Sequence, residues 1–490
     1  MLFTTPIFLF FFLPVFLSAY YLMPAKGQWR NYVALLGSIL FFSWGEPVYV
    51  FMLLAFVFVD YQLSKAISET SNLSLTKKKI LLSIGILANV AVLISFKYSH
   101  FIIREILFPL NIYKGQLPEG TGPLLLGISF ITFHKISYLV DSYKGRAVPP
   151  RNFYDCALYI FLFPQLIAGP IIRYHDIGTQ LHRRNYSSSA FLVGCFRFSL
   201  GFAKKVLIAD PLGLVADRIF GLPTSEISLA SAWAGSFSYM LQIYFDFSGY
   251  SDMAIGLGSM MGFRFPENFN RPYIAQSITD FWRRWHISLS SWMRLYIYIP
   301  LGGNRTSKSR AFINLWIVFI ISGFWHGASW TFLLWGAYYG FFLCVEKYCT
   351  DSFPNLHNYI PSTVKFLLTL LIVLFGWVLF RSPTVSYAFE FIKVMLGMSH
   401  LELETHPWGF LIGNRDLFLL FIGSLIVFVK LPSKLVKLPS WLTSAWSETM
   451  TINGNSAQLS LFFVSMMLLL VLTIMAMFSA GYTAFLYFRF

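Results

Sequence analysis

Between Ala311 and Val345 the chain runs for 35 residues without a single Asp, Glu, Lys or Arg. A backbone placed in hydrocarbon must satisfy every N–H and C=O internally, so a run of this kind is expected to be helical and embedded. It is not alone. Ile227 to Phe263 carries only Asp246 and Asp252 as charged residues, and further apolar runs cover roughly 188–203, 364–380, 409–430 and 459–485. Only 12% of residues are charged and 56% are hydrophobic, against about 25% charged in ordinary globular domains. The 53 Phe and 14 Trp exceed what one soluble core could bury. A soluble enzyme, a disordered scaffold and a nucleic-acid-binding domain are all disfavoured. The expected fold class is an all-α polytopic membrane protein formed by one domain over 1–490.

The distribution of Lys and Arg sets the expected topology. Net charge is +15, with the cations in short loops between apolar runs. They act as topology determinants there and can meet anionic lipid headgroups, with no nucleic acid implied. Met1 to Met23 is apolar and no Lys or Arg precedes it, which fits a retained first span rather than a signal peptide. Its N-terminus would lie outside, with Lys26 and Arg30 in the cytoplasm. Gly45-Glu46-Pro47 predicts a hairpin between spans, because Pro47 cannot continue a helix. Lys65, Lys77, Lys78 and Lys79 then fall on the cytoplasmic side. After Ile80–Phe96 and Leu124–Val140, so do Lys144, Arg146 and Arg151. Phe153 to Ile172 contains Pro164 and Ala168-Gly169-Pro170 with basic residues on both flanks, the pattern of a re-entrant segment. The sum is about eleven crossings plus re-entrant or interfacial helices. Cys156, Cys195, Cys344 and Cys349 have no metal-ligand or paired spacing, and no metal is expected.

Polar groups inside apolar runs are expensive and therefore informative. His326 is the one histidine in the 35-residue run, within Ser322-Gly323-Phe324-Trp325-His326-Gly327. Gly323, Gly327 and Ala328 clear space around the ring, as a close helix contact or a substrate channel would need. A neutral histidine bonded to another helix is the plainer alternative. Asp280 to Arg294 alternates aromatics with cations and includes Arg283, Arg284 and His286. As one helix it would lie in the interface with its Trp residues at headgroup level, either as an anchor or, with Asn304 and Arg305 in the Gly302-Gly303 turn, as a phosphate-binding patch. Asp246 and Asp252 read either as helix–helix glue or as partners for a buried His or Arg.

Six ordered segments together resemble the membrane-bound O-acyltransferase family, in its bacterial polysaccharide O-acetylation branch. They are Gly127–Phe130 with Ile136–Asp141, Phe163–Pro170, Tyr244–Ile255, Phe281–Ser290, Pro300–Arg305 and Phe324–Gly327, and the resemblance runs to about Lys347. It implies helices around a central tunnel, with His326 and His286 as catalytic residues and Trp325, Asp246 and Asp252 in support. It also implies acetyl-CoA as the acyl donor, held by Arg283, Arg284, Asn304 and Arg305, with no permanently bound cofactor. The setting would be the bacterial inner membrane, the product an O-acetylated exported polysaccharide such as alginate, and a periplasmic acetyltransferase a partner. Chemically, a neutral imidazole suits removal of an acceptor hydroxyl's proton near pH 7. No carboxylate lies within a helical turn of His326, so any orienting group must come from another helix, and Asp246 and Asp252 are the candidates. A secondary transporter and a non-catalytic secretion scaffold are the competing classes.

Overall fold

A computed structural model describes residues 1–115, 125–150, 152–353, 355, 359–398, 408–429, 456–480 and 485. Leu124, Arg151 and Lys430, which entered the topology reading, lie outside the described residues, as does 481–484. Every regular element among the described residues is helical. Among the described residues three helices are long and apolar enough to cross a bilayer by length and hydropathy: Tyr49–Ile67, Leu75–Leu107 and Ser362–Arg381. Others, such as Leu229–Met260, are longer than a crossing requires but carry buried Ser and Asp residues that lower their hydropathy. Phe8–Leu22 is shorter than the expected first span. It ends at Met23, which is extended because Pro24 follows it.

The described residues form two compact units, Met1–Phe198 with Ser251–Pro266, and Ser199–Tyr250 with Glu267–Phe490. In the first, Ile128–Tyr143 is buried along nearly its whole length. Lys135 on that helix meets Asp60 at 3.1 Å, and Asn89 donates to the same carboxylate at 3.1 Å. Phe153–Phe161 breaks at Leu162 before the short Phe163–Leu166 helix, where Pro164 leads the sequence to expect an interruption. Gly194 and Gly256 pack helix against helix so closely that a Cβ on either would lie 2.6 Å from the other's carbonyl oxygen. Arg197 closes that crossing with a 3.0 Å ion pair to Asp252.

The second unit is organised around a helical hairpin. The 35-residue apolar run is two helices, Lys308–His326 and Trp330–Ser352, joined through Gly327 to Ser329. They are antiparallel: Gly323 faces Gly336, and Cys344 Sγ approaches the Phe312 carbonyl at 4.0 Å. Lys308 and Arg310 therefore share one end of the hairpin with Glu346, Lys347 and Asp351. His326 sits at the other end, about 27 Å away by helical rise. A Cβ on Gly323 would overlap the Phe332 carbonyl, and one on Gly336 the Phe319 carbonyl. One amphipathic helix, Val385–Met395, goes beyond what the sequence suggests, and Phe391 on it stacks on Phe220 at 4.4 Å.

Because backbone rather than side chain limits this approach, Gly336→Ala should destabilise the detergent-purified protein by about 1–3 kcal/mol. Gly409→Ala, where nothing lies within 4 Å of an added Cβ, is the matched control and should leave the thermal midpoint unchanged. Equal midpoints for both variants would contradict a backbone-limited hairpin.

Candidate active site

His326 is the last residue of its helix, and Gly327 is fully extended after it. Three rings enclose the imidazole: Trp325 at 4.9 Å, Trp335 at 5.0 Å and Phe380 at 5.2 Å between centroids. All three present edges, and His326 keeps 8% of its surface exposed. Trp335 and Phe380 come from the second hairpin helix and from Ser362–Arg381, so three helices build this wall.

His286 departs from expectation. The predicted interfacial helix over 280–294 is broken into Ile278–Arg284 and Ile287–Met293. His286 stands between them with φ +43°, a left-handed conformation, and is 1% exposed. Trp282, Trp285 and Trp292 are buried, not spread at headgroup level. The reason is packing: Trp285 stacks on Phe281 at 5.7 Å and packs at a tilt against Trp377 at 4.8 Å, and Trp282 meets Tyr339 at 5.0 Å. Burying that aromatic face draws the segment inward, and the break leaves His286 between the two helices, packed on Phe247.

Asn268 fixes the chemistry of that ring. Its Oδ1 accepts from the Ser288 hydroxyl at 2.8 Å and the Ser288 N–H at 3.3 Å, and lies 3.0 Å from His286 Nδ1. An oxygen that only accepts requires the proton on Nδ1, which leaves the lone pair of the neutral ring on Nε2. Among the described residues His286 Nε2 is buried with no hydrogen-bond partner. Phe247 presents an edge-on ring to His286 at 4.6 Å, and Trp325 lies 6.3 Å away. The Trp325 indole thus neighbours both imidazoles.

A family model described as MBOAT, membrane-bound O-acyltransferase family, matches residues 146–388, a span that contains both histidines. The probable alginate O-acetylase AlgI of Pseudomonas aeruginosa is 40% identical over 410 residues, covering 82% of this chain and 76% of that protein. The peptidoglycan O-acetyltransferase of Helicobacter pylori is 37% identical over 435 residues, covering 82% and 81%. The chain belongs to the membrane-bound O-acyltransferase family. A teichoic acid D-alanyltransferase of Bacillus subtilis is more distant, at 26% over 267 residues, 52% of this chain and 67% of that one. The chain is therefore a membrane protein and an O-acyltransferase.

Within this acyltransferase the remaining expected residues are placed unevenly. Asp246 pairs with Lys205 at 2.6 Å, and Lys205 meets Asp210 at 2.6 Å as well. This triad anchors the helix that carries Phe247 against His286. Asp252, in the first unit, pairs with Arg197. Arg283 is exposed, whereas Arg284 is held by Asp280 at 2.8 Å. Asn304 is exposed, with its Oδ1 accepting from the Tyr298 hydroxyl at 2.7 Å, and Arg305 is exposed in the same turn. Asn314 Nδ2 ties that turn to the hairpin by donating to the Leu301 carbonyl at 3.2 Å. No hydrogen bond or ion pair among the described residues joins Arg283 and Arg284 to Asn304 and Arg305.

Sequence reasoning passed over Asn268, Lys205 and Glu346. Glu346 accepts from the Ile278 and Thr279 N–H groups at 2.8 and 3.2 Å, capping the helix that leads to His286. A carboxylate immediately after the end of the 35-residue apolar run was the available signal for it. Asn268→Leu should lower turnover about 10- to 100-fold by freeing the His286 ring, as loss of a histidine-orienting partner does elsewhere. Asn268→Asp, which keeps the acceptor, should recover part of it. Equal loss in both, with unchanged thermal midpoints, would contradict an orienting role.

Proposed function

We propose that this acyltransferase takes an acetyl group from acetyl-CoA on the cytoplasmic side of the bacterial inner membrane and passes it towards an exported polysaccharide such as alginate. The acceptor is the polymer itself or a periplasmic acetyltransferase that completes the transfer. The names of the relatives support the acetyl group and the polymer class. About eleven crossings around a tunnel belong to the same reading, since a histidine that serves two substrates needs a route from each face.

The observation that carries the chemistry is the pair of buried imidazoles around Trp325. In this reading His326 accepts the proton of the attacking hydroxyl as its oxygen bonds to the thioester carbon. The C–S bond then breaks, and the proton returns to the leaving thiolate. His286 Nε2, a buried acceptor, receives a hydrogen bond from an amide N–H of the pantetheine arm and so positions the donor. The Trp325 indole N–H or the Ser322 hydroxyl donates to the developing oxyanion. Asp246, committed to Lys205, supports the site through Phe247 rather than by orienting His326 directly. Arg283 and Arg305 supply the charge for the donor's phosphates with Asn304 beside Arg305, and Arg284, already shared with Asp280, contributes less.

His326→Gln should lower acetyl transfer by about 10²- to 10⁴-fold while the protein still inserts and accumulates. His286→Gln should leave measurable turnover with weakened donor binding. Both are read as acetyl groups on exported polymer at matched expression, together with thioester consumption by the purified protein. Near-normal acetylation with His326→Gln would overturn the proposal, and total loss only at His286 would reverse the two roles. Arg283→Ala and Arg305→Ala should each weaken donor affinity roughly 10- to 150-fold, with unchanged affinity arguing instead for lipid anchoring.

A further inference from the structure

In the first unit, which contains neither candidate histidine, a cleft of about 450 Å³ is lined in part by Tyr21, Arg30, Tyr186, Ser187, Phe191 and Leu192. Arg30 is only 8% exposed. Its Nε donates to the Met23 carbonyl at 3.1 Å, and its guanidinium carbon stacks 4.2 Å from the Tyr186 centroid and 4.9 Å from that of Tyr21. Its Nη1 is buried with no hydrogen-bond partner among the described residues. Arg184 repeats the pattern nearby: Nε donates to the Tyr186 hydroxyl at 3.1 Å, the guanidinium packs over Phe263 at 4.1 Å, and Nη1 is again buried without a partner. Neither arginine forms an ion pair with a carboxylate among the described residues.

Two guanidinium groups sharing one tyrosine repel each other; the Asp155 carboxylate lies within electrostatic reach of Arg184, but no carboxylate among the described residues pairs with the buried Arg30, a costly arrangement that an anion in the cleft would relieve. The third wall of the cleft supplies more positive potential. Ser187 caps the 16-residue helix Ser188–Ala203, its Oγ accepting from the Ala190 N–H at 3.1 Å. The first-turn amides of such a helix have no intrahelical acceptor and favour an anion in front of them. The other wall is apolar. Phe191 packs edge-on against Tyr21 at 5.5 Å, and the helix bearing Tyr21 exposes Phe11 at 65%, Val15 at 56% and Leu22 at 80%. The cleft therefore joins a positively charged end to a surface suited to hydrocarbon.

We infer that this cleft binds the phosphate of an anionic membrane phospholipid, with Arg30 as the principal cation and Tyr21, Phe191 and Leu192 against the acyl chain. A phosphodiester matches the planar donors of a guanidinium, and the acyl chain accounts for the apolar wall that free phosphate would leave uncovered. The site is independent of the acyl-transfer reading.

The full chain, delipidated in detergent, can be titrated with phosphatidylglycerol and followed by native mass spectrometry, with inorganic phosphate as the competing arm. One tightly bound phosphatidylglycerol is expected. Arg30→Gln should weaken it roughly 10- to 150-fold, and Arg30→Lys less. Ser187→Asp guards against a folding artefact, because Asp caps a helix as well as Ser does yet places a carboxylate in the cleft. It should lower lipid affinity with the thermal midpoint preserved. Lipid affinity within twofold of the parent protein in both Arg30→Gln and Ser187→Asp would overturn the inference. Displacement of the lipid by millimolar inorganic phosphate would show that free phosphate, not a lipid, is the ligand.

Discussion

Backbone hydrogen bonding in long, sparsely charged apolar runs governs where this protein can place reactive groups. Inside a helix every N–H and C=O is satisfied, and side chains project only outward. A functional imidazole that must face a shared centre is therefore best carried at a break, and both candidate histidines are. His326 ends a helix before extended Gly327, and His286 occupies a left-handed position between two short helices. Each break is supported from elsewhere in the same unit. Glu346 caps the helix before His286, Asn268 holds the turn after it, and the close Gly323–Gly336 approach fixes the hairpin that ends in His326.

Charge is used sparingly and mostly in closed sets. Lys205 lies between Asp210 and Asp246, and Lys135 is joined to Asp60 with Asn89 assisting. Removing one member of such a set leaves a buried charge behind, typically at a cost of about 3–5 kcal/mol. These sets position helices, whereas the aromatic cluster around Trp335, Tyr339 and Trp377 packs beside His326 through Trp335. The exposed cations Arg283 and Arg305 stand apart from both groups.

Much of the helical layout was legible because apolar runs and Pro/Gly breaks are local signals. Gly45–Pro47, Pro164 and the runs over 188–203, 227–263 and 364–380 all correspond to observed breaks or helices. His326 stood out as a polar group in a costly apolar run, whereas His286 was singled out by its place in the Arg/Trp segment and by the family resemblance. What escaped was long-range. Nothing near Asn268 announces that its side chain accepts from residue 288 and fixes residue 286. The 280–294 segment was misread as one interfacial helix because its Arg/Trp alternation resembles an anchor, and the partners that bury Trp285, such as Trp377, lie about ninety residues on. The 35-residue run concealed a hairpin because Gly327 to Ser329 is apolar enough to pass as embedded helix.

The central claim is that His286 and His326 serve one acyl-transfer centre around Trp325. A double-variant cycle tests it most directly: acetyl transfer is measured for His286→Ala, His326→Ala and the combined variant in purified protein of matched stability. Groups that act together at one centre are non-additive, so the combined variant should be little slower than the slower single one. Losses that multiply, with the combined variant slower by the product of the two, would mean independent roles and would contradict a shared centre.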